Sequence, residues 1–589
     1  MIGRVGMRHS LRIRYPGHYE PIIVFTVGVL LLVPCIWSET SVTGQDEYWL
    51  SLRTPMETLE RGSWLTPWVN GEPRLRKPPL LYWAILLSYK ALGINLFAAR
   101  IWGVLSGAGL ALCSCLFYRA LFRKSGILAG LITLATIAVA IEGRRAMLDL
   151  PLAFFTSMAV YFALRWGRSG RSGWISLSAF SLGLSFLVKG PLGFVLFGAA
   201  GISALSVFRK WRFAFSHWSQ AVWALVFLLA VCVPWPLIMT YLWPHFLSVV
   251  DGEIAARHFG DIHPGSFFST FGGALGLVFP WSVVVIAAVI RSVQQAQRVT
   301  GRENLWLVAW FLGSIIPFFF MKSFGRYMMP IIPAACVLCA NWLEEVEGLL
   351  KKSLLRISIS LMALVAVLFC LFFIWFGHGV PAGFICLFLV GLMLWITFAK
   401  GDARMAVNAV AVLLALIMGG LYPSLGINAM PPDLERIVGH FPVAAYNSSQ
   451  PSMLSIRLKR SAIQMVGGGE KYIRLLEHFG GFVFMRETDA EGFETLARGL
   501  DIDFEKAGEF KTFYSRQVWI RFAREDATVD DWKEAIRMRS LANLRASILY
   551  YRVHPNPDKP ELGNCKLRNS GIENNGFNLI PQSLNPSIP

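Results

Sequence analysis

An acidic pair, Asp46-Glu47, and a cationic run, Pro73-Arg74-Leu75-Arg76-Lys77-Pro78-Pro79, stand in one polar stretch of this chain. A carboxylate can take the proton of an attacking hydroxyl or orient that hydroxyl. Arg offers a phosphate paired contacts and Lys a compact point charge. The stretch therefore has the makings of a fixed phosphate site beside a candidate base, with Tyr82 just beyond it. Similar residue types recur in Glu142-Gly143-Arg144-Arg145-Ala146-Met147-Leu148-Asp149-Leu150-Pro151, in Val188-Lys189-Gly190-Pro191 and in Lys322-Ser323-Phe324-Gly325-Arg326-Tyr327. A further polar segment holds His245, Asp251, Glu253, Arg257, His258, Asp261 and His263. Taken singly, these groups have plain readings: interfacial charge, anchoring to lipid headgroups, solvated histidines. What tells against those readings is where the groups fall along the chain.

Between the charged segments the sequence is apolar. Of 589 residues, 55% are hydrophobic and only 16% charged, with mean hydropathy +0.51. Soluble domains carry about a quarter charged residues. Runs of about 20 apolar residues, each able to cross roughly 30 Å of hydrocarbon, recur through 21–422. Such runs must be helical, because lipid offers no partner to an open N–H or C=O. About thirteen spans are expected, near 21–38, 97–119, 126–142, 149–165, 173–188, 191–208, 220–240, 272–290, 304–321, 327–342, 354–377, 381–399 and 405–422. The net charge of +18 does not signal nucleic acid, because the basic residues sit in short loops where topology places them.

Starting with a cytoplasmic N-terminus, Arg119/Arg123/Lys124, Arg165/Arg168/Arg171, Arg209/Lys210/Arg212, Arg291/Arg298/Arg302, Lys351/Lys352/Arg356 and Lys400/Arg404 all fall inside. Every charged segment of the opening paragraph then falls outside, at one membrane face. The result is a charged cavity suited to an anionic headgroup on a lipid tail. The expected organisation is a basic N-terminus at 1–20, a transmembrane domain at 21–422 with outer loops at 39–95 and 241–270, an outer α/β domain at 423–552 and a disordered tail at 553–589. The third region alternates short apolar runs at 441–445, 482–484 and 517–522 with helical patterns at 470–479 and 492–500. Eight of the nine cysteines lie in apolar runs, so neither a disulfide framework nor a zinc site is expected.

Asp46-Glu47, Trp64-Leu65-Thr66-Pro67-Trp68-Val69-Asn70-Gly71 and Lys77-Pro78-Pro79-Leu80 resemble the first periplasmic loop of bacterial GT-C glycosyltransferases. The aminoarabinose lipid A transferases and protein O-mannosyltransferases are the most similar groups, over about residues 20–340. The resemblance implies a multi-pass inner-membrane enzyme with a polyprenyl-phosphate sugar donor, a lipid A, glycan or protein acceptor, and inverting transfer. Membrane lipid is the other expected partner, and nucleic acid is not. It implies Asp46 at the reaction centre, Asp149 orienting or supporting the site, and Lys77 with Arg74, Arg76, Arg145 or Lys322 on the donor phosphate. Glu47, Tyr82, Lys189, Glu253, Arg257, His263, Arg326 and Tyr327 complete the expected substrate-binding set. Two positions depart from the pattern. Aminoarabinose transferases carry Tyr-Phe-Glu before Lys-Pro-Pro, so Arg76 replaces an acidic metal ligand; no cofactor is assigned and a divalent metal is left open. Trp49 stands where an Arg is expected, and Arg53 is the candidate substitute.

A transporter or flippase of an anionic lipid-linked substrate would use the same basic cavity. It would also place charge near span centres and show repeat symmetry; here charge gathers at one face and no repeat is seen. A scaffold or sensor would leave Asp46 and residues 77–79 unexplained.

Overall fold

The computed structural model describes residues 17–43, 47, 51–256, 264–295, 301–321, 324–447, 451–465, 470–513 and 523–556. Seven helices among them are long and apolar enough to cross a membrane, or eight if one bent pair forms a single span. The remaining apolar runs form shorter or broken helices, including Glu20–Leu32, Leu80–Leu92 and Leu192–Val207. The chain is a multi-pass membrane protein. Leu96–Phe122 is 27 residues long, about 40 Å at roughly 1.5 Å per residue. Asn95 opens this helix by accepting the Ala98 N–H at 2.8 Å. Gly325–Glu345 lies at the bundle centre with 94% of its span buried, whereas Trp218–Leu242 is 22% buried and faces outward.

Two expected spans are broken instead of straight. The run 126–142 forms Ile127–Leu134 and Ile137–Glu142. The run 272–290 straddles a 105° bend between Phe267–Leu277 and Ser282–Gln294. The two breaks face each other: Ile137 donates its N–H to the Phe279 carbonyl at 2.9 Å, and Trp281 donates to the Ala135 carbonyl at 3.1 Å. Each break supplies polar partners that lipid would not, which is what allows both to exist inside the bundle.

The polar segment after the first apolar run is also built. It contains the helix Arg53–Glu60, a hairpin of β1 (Trp68–Val69) and β2 (Glu72–Pro73), and the helix Leu80–Leu92. Asn70 and Gly71 turn the hairpin with φ of 55° and 80°, the left-handed geometry favoured by Asn-Gly.

The C-terminal domain is a five-stranded mixed sheet of β3 (Val443–Tyr446), β4 (Ile463–Met465), β5 (Gly481–Arg486), β6 (Phe504–Thr512) and β7 (Ala546–Val553). Their order is β4-β3-β5-β7-β6, parallel across the first three strands and antiparallel across the rest. Side chains alternate between two cores. Ala444, Val483, Met485, Leu549 and Tyr551 pack under the helices Glu470–Phe479 and Ala490–Gly499. Val443, Ala445, Phe482, Phe484, Ile548 and Tyr550 pack on Leu52, Met56, Leu81, Ile85, Leu148 and Leu152. One sheet face thus seats on the first loop and on the ends of the membrane helices. Val553 pairs with Gly481, so ordered strand runs through the position where a disordered tail was expected to begin. The apolar run 517–522 and residues 557–589 lie outside the described residues.

Candidate active site

The helices Asp149–Ser169 and Ser172–Lys189 form a hairpin about Gly170, whose φ is +69°. Asp149 therefore opens one helix beside Lys189, which ends the next. Asp149 is also stabilised there by the partial positive charge of its own helix start. Lys189 Nζ donates to Asp149 Oδ1. Arg326, in the tight turn Gly325–Ile331, brings Nε to 3.1 Å from Oδ2 of the same carboxylate. Lys189 Nζ also lies 3.5 Å from the centre of the Tyr327 ring. All three charged groups are buried. Ions survive burial when they are paired and hydrogen-bonded, and here two cations share one carboxylate.

The chain segment just before Asp149 adds a second layer. Arg145 Nη1 meets Glu142 Oε1 at 2.6 Å. Arg144 donates Nη1 to the Ala140 carbonyl and Nη2 to the Leu31 carbonyl, both at 2.6 Å. The segment is pressed onto the helix Leu96–Phe122, where a Cβ at Gly103 would collide with the Arg145 carbonyl oxygen. Three residues earlier on that helix, Arg100 holds Glu47 at 2.7 Å. The same Glu47 oxygen accepts the Ala146 N–H at 3.0 Å. These layers together hold the cations Arg100, Arg144, Arg145, Lys189 and Arg326 against the carboxylates Glu47, Glu142 and Asp149. The excess charge is positive, as an anion site requires.

The cationic run from the first loop reaches the same end of the bundle. Leu75 packs with Leu187, Trp235, Met239 and Phe246, which sets its neighbours beside the helix that ends in Lys189. Arg74 Nε donates to the Tyr82 hydroxyl at 2.8 Å. Lys77 Nζ lies 2.8 Å from Glu253 Oε2, and Arg76 Nη1 lies 3.8 Å from Oε1. Glu253 belongs to the helix Phe246–Ala255, so two segments far apart in sequence meet at one ion cluster.

The residues singled out from sequence thus fall into distinct places. Asp149, Lys189, Arg326 and Tyr327 form one cluster; Arg76, Lys77 and Glu253 form another, with Arg74 and Tyr82 alongside. Arg145 lies in the layer behind Asp149. Two of the expected substrate-binding residues are buried and paired within the frame. Glu47 has no exposed surface and ties helix, loop and hairpin together through Arg100 and Ala146. Arg53, 1% exposed, pairs with Glu57 and donates to Asn70 Oδ1 at 2.9 Å. Asn70 in turn bonds both the N–H and C=O of Gln464 in β4. Asp46, Arg257, His263 and Lys322, with Trp49 and His258, lie outside the described residues. Sequence reasoning missed Arg100 and Tyr422, a buried tyrosine close enough to Arg145 and Arg100 to feel their charge. Arg100 did leave a signal: a lone cation in the first turns of an apolar helix seldom occurs without a partner. Among the described residues no three His, Cys, Asp or Glu side chains gather as a metal site would require.

Residues 29–250 match the family model for dolichyl-phosphate-mannose-protein mannosyltransferase. An undecaprenyl phosphate-alpha-4-amino-4-deoxy-L-arabinose arabinosyl transferase of Pseudomonas aeruginosa is 25% identical over 371 residues, covering 59% of this chain and 64% of that protein. An uncharacterized protein of Aquifex aeolicus is 26% identical over 293 residues, covering 49% of this chain and 57% of its own length. The chain thus matches 57% to 64% of the length of these relatives. The fold matches ArnT of Cupriavidus metallidurans with TM-score 0.67 and 17% identity, over 90% of this chain and 97% of that one. A second ArnT structure, bound to undecaprenyl phosphate, matches with TM-score 0.66 and 17% identity over 91% and 98% of the two chains.

Proposed function

We propose that this chain, which belongs to the GT-C superfamily of aminoarabinose transferases and protein O-mannosyltransferases, moves a sugar from a polyprenyl-phosphate carrier to an acceptor at the outer face of the inner membrane. The acceptor is lipid A, another glycan or a protein. The observation that carries the reading is the convergence of cations from three distant segments, Lys77, Lys189 and Arg326, at one end of the bundle. ArnT, whose fold this chain shares, has been crystallised with undecaprenyl phosphate, and a lipid phosphate suits the same cationic end here. With the N-terminus cytoplasmic, that end and the C-terminal sheet domain face the periplasm.

The chemistry is a single displacement. The acceptor oxygen bonds to the anomeric carbon as the bond from that carbon to the phosphate oxygen breaks, so the centre inverts. Asp46 takes the acceptor proton or orders its hydroxyl. Negative charge grows on the departing phosphate, and fixed cations stabilise it there without reorganising. Lys77 and Arg76 are the groups proposed to meet that phosphate, with Arg74, Arg145 and Lys322 as further cations of the site. Glu253, their counter-ion here, must yield as phosphate arrives. Asp149 acts through Lys189 and Arg326 as a positioning residue. One carboxylate between two cations fixes both while leaving the cluster positive.

The test is mass spectrometry of polyprenyl-phosphate-linked sugars in cells lacking the protein, complemented with wild type or Asp46→Asn. One such lipid should accumulate and be cleared only by wild type. No change in cells shown to make these lipids would defeat the proposal.

A further inference from the structure

The opposite end of the bundle holds a cavity of about 410 Å³, bordered by Lys124, Lys351 and Arg404 with Glu344 and Asp402. Three helices fix its distance from the candidate active site. Leu96–Phe122 carries Arg100 near its start and runs into Lys124 just past its end. Gly325–Glu345 carries Arg326 at one end and Glu344 at the other. Ala403–Leu425 begins beside Asp402 and ends past Tyr422, the tyrosine near Arg145. The cavity is therefore a whole membrane thickness from Asp149 and has no part in sugar transfer.

Its charges are unequal in availability. Glu344 is engaged twice, accepting from the Tyr118 hydroxyl at 2.6 Å and from Arg404 at 2.9 Å. Asp402 caps the helix Ala403–Leu416, accepting the N–H groups of Arg404 and Met405 at 2.9 and 3.1 Å. Both acids are committed to the protein. Lys124 lies in the connection that follows Leu96–Phe122 and Lys351 in the first turn of the helix Leu349–Trp375, and among the described residues neither has a carboxylate partner. The surroundings mark a lipid interface. Leu349 and Leu350 are 83% and 59% exposed beside Lys351. Nearby, Lys400 lies over Trp395 and Arg356 over Phe398, at 4.8 and 5.0 Å, the pairing of cation and aromatic ring typical of headgroup level.

We infer that this cavity binds the headgroup of an anionic phospholipid, its phosphate between Lys124 and Lys351 and its acyl chains along Leu349 and Leu350. Basic pockets between helices at a membrane surface select such headgroups, each cation near the surface contributing about fivefold in affinity.

Native mass spectrometry of the full-length protein in detergent tests this, with phosphatidylglycerol, phosphatidylcholine and inorganic phosphate as probes. Phosphatidylglycerol should be retained over phosphatidylcholine. Lys124→Gln with Lys351→Gln should lower its retention by about fivefold per lysine, while Lys210→Gln, in another connection, should not. The Lys124→Arg, Lys351→Arg double variant should retain the lipid, which separates lost charge from lost folding. Equal retention of the two lipids, or undiminished retention by the double Gln variant, overturns the inference. Displacement of the lipid by equimolar inorganic phosphate would instead mark a free-anion site and overturn the lipid assignment.

Discussion

Arg100 and Glu47 meet at 2.7 Å with neither side chain exposed, and this pair is the knot of the candidate active site. Arg100 also donates to the Ile36 and Ser38 carbonyls at 3.1 and 2.8 Å, so one guanidinium holds the start of the first loop against the bundle. Glu47 adjoins Asp46, the proposed base, in sequence. Removing one member of a buried pair leaves the other charged and dry, at a cost of about 3–5 kcal/mol. Glu47→Ala should therefore lower the melting temperature in detergent sharply and abolish transfer. Glu47→Met with Arg100→Met should recover much of the stability and none of the activity. A Glu47→Ala protein as stable as wild type would remove the pair from this role.

Asp149→Asn keeps the shape of the side chain but takes away the charge that fixes Lys189 and Arg326. If Asp149 positions those cations, kcat should drop by about 10²-fold or more, as when one preorganised donor is lost, with a smaller change in KM for the donor lipid. Lys189→Met should act in the same direction, and the two changes together should cost much less than their product. Fully multiplicative losses measured in a transfer assay would mean that Asp149 and Lys189 act separately.

Glu253 occupies Lys77 at 2.8 Å in the structure described here. An incoming phosphate has to displace it, so Glu253 competes with the donor. Glu253→Gln should tighten donor binding by up to about fivefold, the range of a partly exposed ion pair, and make binding more sensitive to salt. Lys77→Ala should weaken donor binding whichever residue stands at 253. Direct titration with a polyprenyl-phosphate sugar decides the matter; weaker binding by Glu253→Gln would mean that Glu253 helps to hold the donor.

How much of this was legible in sequence depends on range. The membrane class and the positions of most helices follow from local composition. Lys189, Arg326 and Asp149 could each be flagged because charge beside an apolar run needs a reason. Their pairing could not, because residues 149, 189 and 326 meet only once the helices pack. The breaks at Ala135 and Phe279 were hidden for a related cause. Each run looks continuous to a hydropathy window, and what permits its break is the other break's backbone. Arg53 was singled out by its spacing from Asp46, and its partners in the fold, Asn70 and β4, could not be foreseen because they lie across two other segments. In the C-terminal domain β3 and β5 carry dense apolar runs, whereas β6 alternates charge along an exposed edge and offers little contrast with a loop.

The seat of the C-terminal domain should respond to pH through Glu60. Its carboxylate accepts the Ser461 hydroxyl at 2.6 Å and the Ser461 N–H at 3.1 Å across the boundary between the two domains. Partial loss of hydration at the domain boundary, opposed by the Ser461 hydroxyl and reinforced by Glu57, pushes this exposed acid above its ordinary value of 4.5. A carboxyl group raised by folding favours the protonated docked state. Its contribution is complete below the unfolded value and fades as pH rises through the folded one. Docking should accordingly tighten as pH falls from neutrality through the ordinary carboxylate range. Glu60→Gln keeps an acceptor for Ser461 and carries no charge, so it should flatten that dependence and dock at neutral pH at least as firmly as wild type. Limited proteolysis of the full chain between the domains, followed across pH, reports the docked fraction. A Glu60→Gln protein that is cut faster than wild type at neutral pH would show that the Glu60 charge holds the domain in place, the reverse of what its raised value implies.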